Sequence, residues 1–304
     1  MGNSIVMPKL VECIPNFSEG RRPEVLDAIS GAIKGISGVK LLDVESDKDH
    51  NRSVMSFLGE PETVMRAAFA GISKAVELID MEKHQGQHPR LGATDVVPFV
   101  PISEMTMLEC VELARGLGRL CWEKLKLPVY FYEEAATSPE RRNLPDVRKG
   151  EYEGRKKEIS EPKWKPDVGE PMMHPSAGAV IIGARPPLIA FNVNLATGNI
   201  DVAKKIAKLV REKDGGLPSV RALGFEIKQR NIVQVSMNLV NFNRTPVWKA
   251  FEAVRAEAQK AGVEVLGAEI VGLIPLEALA QCADHFMKLE NFKIKQILET
   301  RLWE

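Results

Sequence analysis

The chain of 304 residues has four cysteines, Cys13, Cys110, Cys121 and Cys282, with no CxxC pair among them. That scatter excludes a disulfide scaffold and a cysteine-built zinc site, and suits the reduced, packed thiols of a cytoplasmic protein. Surplus charge is also missing: Lys plus Arg is 41 and Asp plus Glu is 41. Without a global field no nucleic-acid partner is expected, and any anion must be held by local arginines. No apolar run approaches the roughly 18 residues of a membrane span. The N-terminus has no charged stretch leading into a long apolar one, so neither a membrane segment nor a signal peptide is expected. What is present is the composition of an ordinary soluble globular protein, 44% hydrophobic and 27% charged. At about 150 residues per domain, the length suggests two domains or subdomains.

Histidine is rare as well, five in all, yet two fall in one loop, His84-Gln85-Gly86-Gln87-His88-Pro89-Arg90-Leu91-Gly92-Ala93-Thr94-Asp95. The loop lies between a helical pattern and an apolar strand pattern, where scaffold ends often hold chemistry. The i, i+4 spacing of the histidines fits a metal pair on a helix. Gly86 between them and Pro89 after His88 disfavour that helix, and no ligand-rich partner motif lies nearby, so no metal is expected. His84 reads as a helix end interacting with the last carbonyls. His88 has the unperturbed pKa, about 6.5, of a proton acceptor at neutral pH. Arg90 beside it is always charged and shaped for a carboxylate. The loop composition alone leaves His88 equally open to a purely structural role.

Apolar periodicity sets a coarse organisation. In the first half, strands are expected over 10–15, 39–44, 51–58, 96–101 and 129–132. Helices are expected over 23–34, 61–80 and from a cap at Ser103 to Leu127. In the second half the order is strand 187–195, helix 200–213, strands 220–227 and 231–240, helix 246–261 and strand 263–270. Strand-helix-strand-strand-helix-strand is the split βαβ order of a ferredoxin-like unit. The expected fold is therefore α+β, two ferredoxin-like βαββαβ subdomains over 1–180 and 181–304, each a sheet with helices on one face. Residues 133–170 are rich in Pro, Arg, Lys and Glu and read mostly as a solvated linker on a fixed course. Asn192 and Asn194 share one strand face, as do Gln234, Ser236 and Asn238. Asparagine is depleted in strands, so such a face suggests a polar wall that recognises a ligand.

Seven segments in order resemble the glutamate formiminotransferases: Leu10–Gly20; Leu41–Val44 with Asn51–Val54; Gly86–Ala93; Gly150–Glu153; Gly183–Arg185; Ala190–Leu195; and Val271–Leu276. The resemblance implies transfer of a formimino group from N-formiminoglutamate to tetrahydrofolate, giving 5-formiminotetrahydrofolate and glutamate, a step of histidine degradation. It places the catalytic histidine on His88. The folate-binding segment falls on Gly169, Glu170, Pro171, Met172, Met173, His174, Pro175, Ser176, Ala177 and Gly178. Glu45 stands where the family carries an active-site aspartate. Arg52, Arg90 and Arg185 lie in matched motifs and are candidates for the substrate carboxylates, with Asn51, Asn192 and Asn194 as further substrate contacts. Tetrahydrofolate is implied as co-substrate, and a cytoplasmic homodimer, with a separate cyclodeaminase as partner, as the assembly. The chain ends before any cyclodeaminase domain, so that second activity is not expected. Competing functions are formyl transfer involving N-formylglutamate or 5-formyltetrahydrofolate, a non-catalytic folate-binding protein, and a metal hydrolase using His84 and His88.

Overall fold

The computed structural model describes residues 8–301. Two compact units divide between Arg185 and Pro186, rather than after residue 180. The strand Val180–Ala184 accounts for the later division, because it pairs within the first sheet.

The first unit runs β1 (Leu10–Cys13), β2 (Asn16–Phe17), α1 (Pro23–Lys34), β3 (Lys40–Asp47), β4 (Arg52–Gly59), α2 (Pro61–Leu78), β5 (Thr94–Ser103), α3 (Met107–Leu125), β6 (Val129–Glu133), α4 (Leu144–Val147), α5 (Glu151–Glu158) and β7 (Val180–Ala184). β1 and β2 are two pieces of one central strand, antiparallel to β4 on one side and β5 on the other. β3 closes the β4 side. β7 adds in parallel to β5, and β6 in parallel to β7. The ferredoxin-like order expected from periodicity is thus present, extended by two parallel strands. Pro23 opens α1 with its ring pre-set for helix, and Val25, Ile29 and Ile33 form its buried stripe. α3 starts at Thr106, not Ser103. Thr106 and Glu109 cap each other reciprocally (Glu109 N–H to Thr106 Oγ1, 3.2 Å; Thr106 N–H to Glu109 Oε2, 2.8 Å). Ser103 is the last residue of β5.

The second unit runs β8 (Ile189–Leu195), α6 (Ile200–Val210), β9 (Val220–Ile227), β10 (Ile232–Leu239), α7 (Val247–Lys260), β11 (Val265–Val271) and α8 (Leu276–Met287). Its sheet order is β11-β8-β10-β9, all antiparallel, the arrangement that a βαββαβ chain gives. Phe191, Val193, Leu195, Val233, Val235, Met237 and Leu239 bury one face under α6 and α7. Asn192, Asn194 and Gln234 point to the other face, as strand alternation requires.

Residues 133–170 are not a solvated linker. Arg155 of α5 is fully buried. Its guanidinium lies 3.5 Å from the Trp164 ring centre and donates to the carbonyls of Val147 (3.0 Å) and Lys149 (3.3 Å). A cation stacked on an aromatic face explains how so charged a stretch can pack.

Candidate active site

His88 lies in the loop between α2 and β5, and backbone hydrogen bonds hold that loop against the β3–β4 turn. The Gln87 amide donates to Asp49 O (3.3 Å) and the His88 amide to His50 O (3.4 Å). Asn51, in the left-handed region at φ 48°, staples three segments. Its Oδ1 accepts from the Gly20 amide (2.9 Å), its Nδ2 donates to Gln85 O (2.9 Å), and its carbonyl meets His84 Nε2 at 3.1 Å. Both polar ends of the Asn51 side chain, expected to meet substrate, are thus engaged with backbone.

Arg90, expected to meet a substrate carboxylate, is occupied within the protein. Its Nε donates to His84 Nδ1 (3.2 Å), and one terminal nitrogen donates to Glu151 and Glu153 (2.9 Å each). The other donates to Glu153 (2.6 Å) and His84 O (3.5 Å). A guanidinium has five N–H donors, and these contacts take all of them. With Nδ1 accepting from Arg90, His84 is a neutral ring that donates through Nε2, and burial holds its proton affinity below the usual imidazole value. Both nitrogens are engaged, so His84 does not pair with His88 on a metal. Among the described residues no group of three His, Cys, Asp or Glu side chains could hold a metal ion.

The residues that act electrostatically on His88 are different ones. Burial, then the charges of Arg148 and Arg52, then those of His50 and His84, lower its pKa from the usual 6.5 to about 2. His88 is therefore a neutral imidazole. Arg52 begins β4 opposite Asp47, with Glu45 of β3 contributing a favourable field. Arg148 ends α4 and pairs with the buried carboxylate of Asp95. The other oxygen of Asp95 accepts the Leu91 amide (2.9 Å), so one carboxylate ties Arg148 to the histidine loop. Sequence patterning missed Arg148 because it sits inside the charged run assigned to solvent. The signal available was its place two residues before the matched segment at Gly150.

Segment 169–178 is joined to the same loop. Ala93 donates to Ala177 O (2.8 Å), Ala179 donates to Leu91 O (3.3 Å), and Met81 donates to Ser176 O (2.7 Å). Gly92 sits in this clasp so closely that a Cβ would lie 2.6 Å from Ala177 O. His174 shapes the segment's tip. Its Nδ1 accepts from the amides of Ser176 (3.3 Å) and Ala177 (3.1 Å), while Glu170, Pro171 and Met172 are exposed. Arg185, at the end of β7, hydrogen-bonds Tyr132 and acts on the carboxylate of Glu12.

In the second unit Asn192 Nδ2 donates to Glu269 Oε1 (3.0 Å). Gln234 Nε2 donates to the same oxygen (2.8 Å) and to Asn194 Oδ1 (2.9 Å). Glu269, which no sequence pattern singled out, organises this amide strip. A pocket of about 690 Å³ lies elsewhere on the first unit, lined by Tyr130, Arg141, Lys149 and Trp164 among others, and contains none of the expected site residues.

Comparison with known proteins matches both units to one family. The family described as "Formiminotransferase domain, N-terminal subdomain" matches residues 10–185, and "Formiminotransferase domain" matches residues 190–301. A glutamate formimidoyltransferase of Streptococcus pyogenes serotype M1 is 48% identical over 297 residues, covering 97% of this chain and 99% of that protein. One from Thermoplasma acidophilum is 50% identical over 295 residues, covering 96% and 97%. The formimidoyltransferase-cyclodeaminase of Mus musculus is 44% identical over 291 residues, which is 94% of this chain but 54% of that longer protein. With both halves matched and near-complete relatives at such identity, the chain belongs to the formiminotransferase domain family.

Proposed function

We propose that the protein is a glutamate formimidoyltransferase, moving a formimino group from N-formiminoglutamate to tetrahydrofolate to give 5-formiminotetrahydrofolate and glutamate. The near full-length likeness to proteins of that name supports the reaction. The observation that carries the site is the neutral, part-buried imidazole of His88 flanked by two arginines. N5 of tetrahydrofolate attacks the formimino carbon, and the new N–C bond leaves N5 with a proton to lose. Neutral His88 accepts it. As the tetrahedral intermediate collapses, the bond from carbon to the glutamate nitrogen breaks and His88 returns the proton to that nitrogen. One group serves as base and then acid, a contribution of about two to four orders of magnitude. Holding both reactants in place supplies much of the rest.

Segment 169–178 is the proposed folate support, because the clasp at Gly92 fixes it to the histidine loop. Arg52 is retained as an anion contact, Glu45 as the carboxylate that balances it, and Arg185 as a second cation. Arg90 is assigned a positioning role, since its donors are consumed. Asn192 and Asn194, with Gln234 and Glu269, form a polar strip proposed to recognise ligand on the second unit. Among the described residues no helix is long and apolar enough to cross a membrane. The family resemblance supports a cytoplasmic homodimer, which light scattering at twice 33.7 kDa would register.

The test is single-turnover transfer with tetrahydrofolate and N-formiminoglutamate. His88→Ala should slow the step about 10²- to 10⁴-fold while donor affinity stays close to that of the native protein. An unchanged rate refutes the assignment.

A further inference from the structure

The two arginines whose charges act most on His88 each carry a buried polar atom with no partner, the Nε of Arg52 and the Nε of Arg148. Native proteins rarely leave such donors unmade unless a ligand completes them. The two guanidinium groups also repel one another, Arg148 lowering the proton affinity of Arg52. Asp95 is the one carboxylate in an ion pair with Arg148, and Arg52 forms no ion pair among the described residues. Positive charge is therefore concentrated at the imidazole, with Asp95 paired to Arg148 while Asp47, Glu45 and Asp95 act on Arg52 only through their fields. The charged and titratable groups that act on His88 are Arg148 from the end of α4, Arg52 from the start of β4, His50 from the β3–β4 turn and His84 from its own loop. The carboxylates that act on Arg52 are those of Asp47, Glu45 and Asp95.

We propose that Arg52 and Arg148 together hold one carboxylate of the donor substrate beside His88, with Asp95 positioning Arg148. The inference rests on the formimino-transfer function and names how that site selects an amino-acid donor. A carboxylate is flat, carries two acceptor oxygens and matches guanidinium edges. Its negative charge offsets the arginine part of the effect on the ring, while burial still acts, so the seated substrate raises the proton affinity of His88. Proton uptake then follows anion binding.

The probe is L-glutamate, with His88 followed by its imidazole NMR shifts against pH. In the native protein saturating glutamate should raise the His88 midpoint by about one pH unit or more. Arg52→Met breaks no ion pair and leaves only the part-exposed carboxylates of Glu45 and Asp47 without its charge, so it should fold normally. The double variant Asp95→Asn with Arg148→Met removes the other charge together with its counterion. Each should bind glutamate about ten- to hundredfold more weakly, show a raised His88 midpoint without ligand, and lose most of the glutamate response. Arg148→Lys should preserve the low midpoint through its charge yet bind weakly, since it lacks the planar fork. Native-like glutamate binding in the Arg52 and double variants, or no glutamate effect on His88 in the native protein, overturns the proposal. If native protein transfers the formimino group and these variants keep its KM for formiminoglutamate, only this inference fails. If native protein transfers nothing, the functional assignment itself fails.

Discussion

Replacing His88 by asparagine should make the protein less sensitive to acid. His88 titrates near 2 when folded and near 6.5 when unfolded. Between those values the unfolded chain binds the extra proton, so stability rises with pH there and falls as the solution is acidified. The imidazole therefore costs nothing above about pH 7, and its penalty grows by about 1.36 kcal/mol per pH unit below its unfolded value. At about pH 5 the accumulated loss is about 2 kcal/mol. Asparagine cannot titrate and escapes it, while Arg52 and Arg148 stay in place. Urea unfolding of both proteins at about pH 8 and about pH 5 measures the difference. The stability gap between them should move in favour of the variant by about 2 kcal/mol at the lower pH. A gap that is the same at both values means that the folded protein does not hold this ring neutral, and the charge assignment around it is wrong.

Arg90→Lys offers three donors where five are used, and should cost about 2 kcal/mol of stability. It should lower kcat more than it changes KM for the donor, and an altered KM alone would return Arg90 to substrate binding. Gly92→Ala drives a methyl into the carbonyls of Ala177 and Ala179 and should destabilise the first unit by about 1–3 kcal/mol, read by thermal unfolding; a native melting point would show that the clasp tolerates opening. Tetrahydrofolate should slow amide exchange in 169–178 and in Leu91 to Ala93 together. Protection of neither segment would remove the folate support from this loop.

Periodicity alone disclosed the βαββαβ order of each half, because most strands alternate apolar and polar residues and most helices carry a wide apolar stripe. β7 was missed: Val180–Ala184 is buried on both faces, a short apolar run without alternation like β6, which reads as a strand. α8 escaped because its buried residues are only Ala278 and Ala280, too small to mark a stripe. The run 133–170 misled because charge normally means solvent, whereas here Arg155 packs on Trp164 and Arg148 on Asp95. At the site, His88 stood out by the company of glycine and proline in its loop. Arg90 looked available because its partners lie far off in sequence, 61 residues away at Glu151 and 63 at Glu153. No local pattern reveals which arginine is consumed by a distant carboxylate and which is left over.

The clasp of Leu91 to Ala93 with Ala177 to Ala179 joins two stretches that chain order keeps far apart. Crossed amides make them a single plate with no hinge between its two halves. Exchanging either stretch for its counterpart from a relative should therefore fail unless both travel together, and a chimera cut between them inherits half a plate.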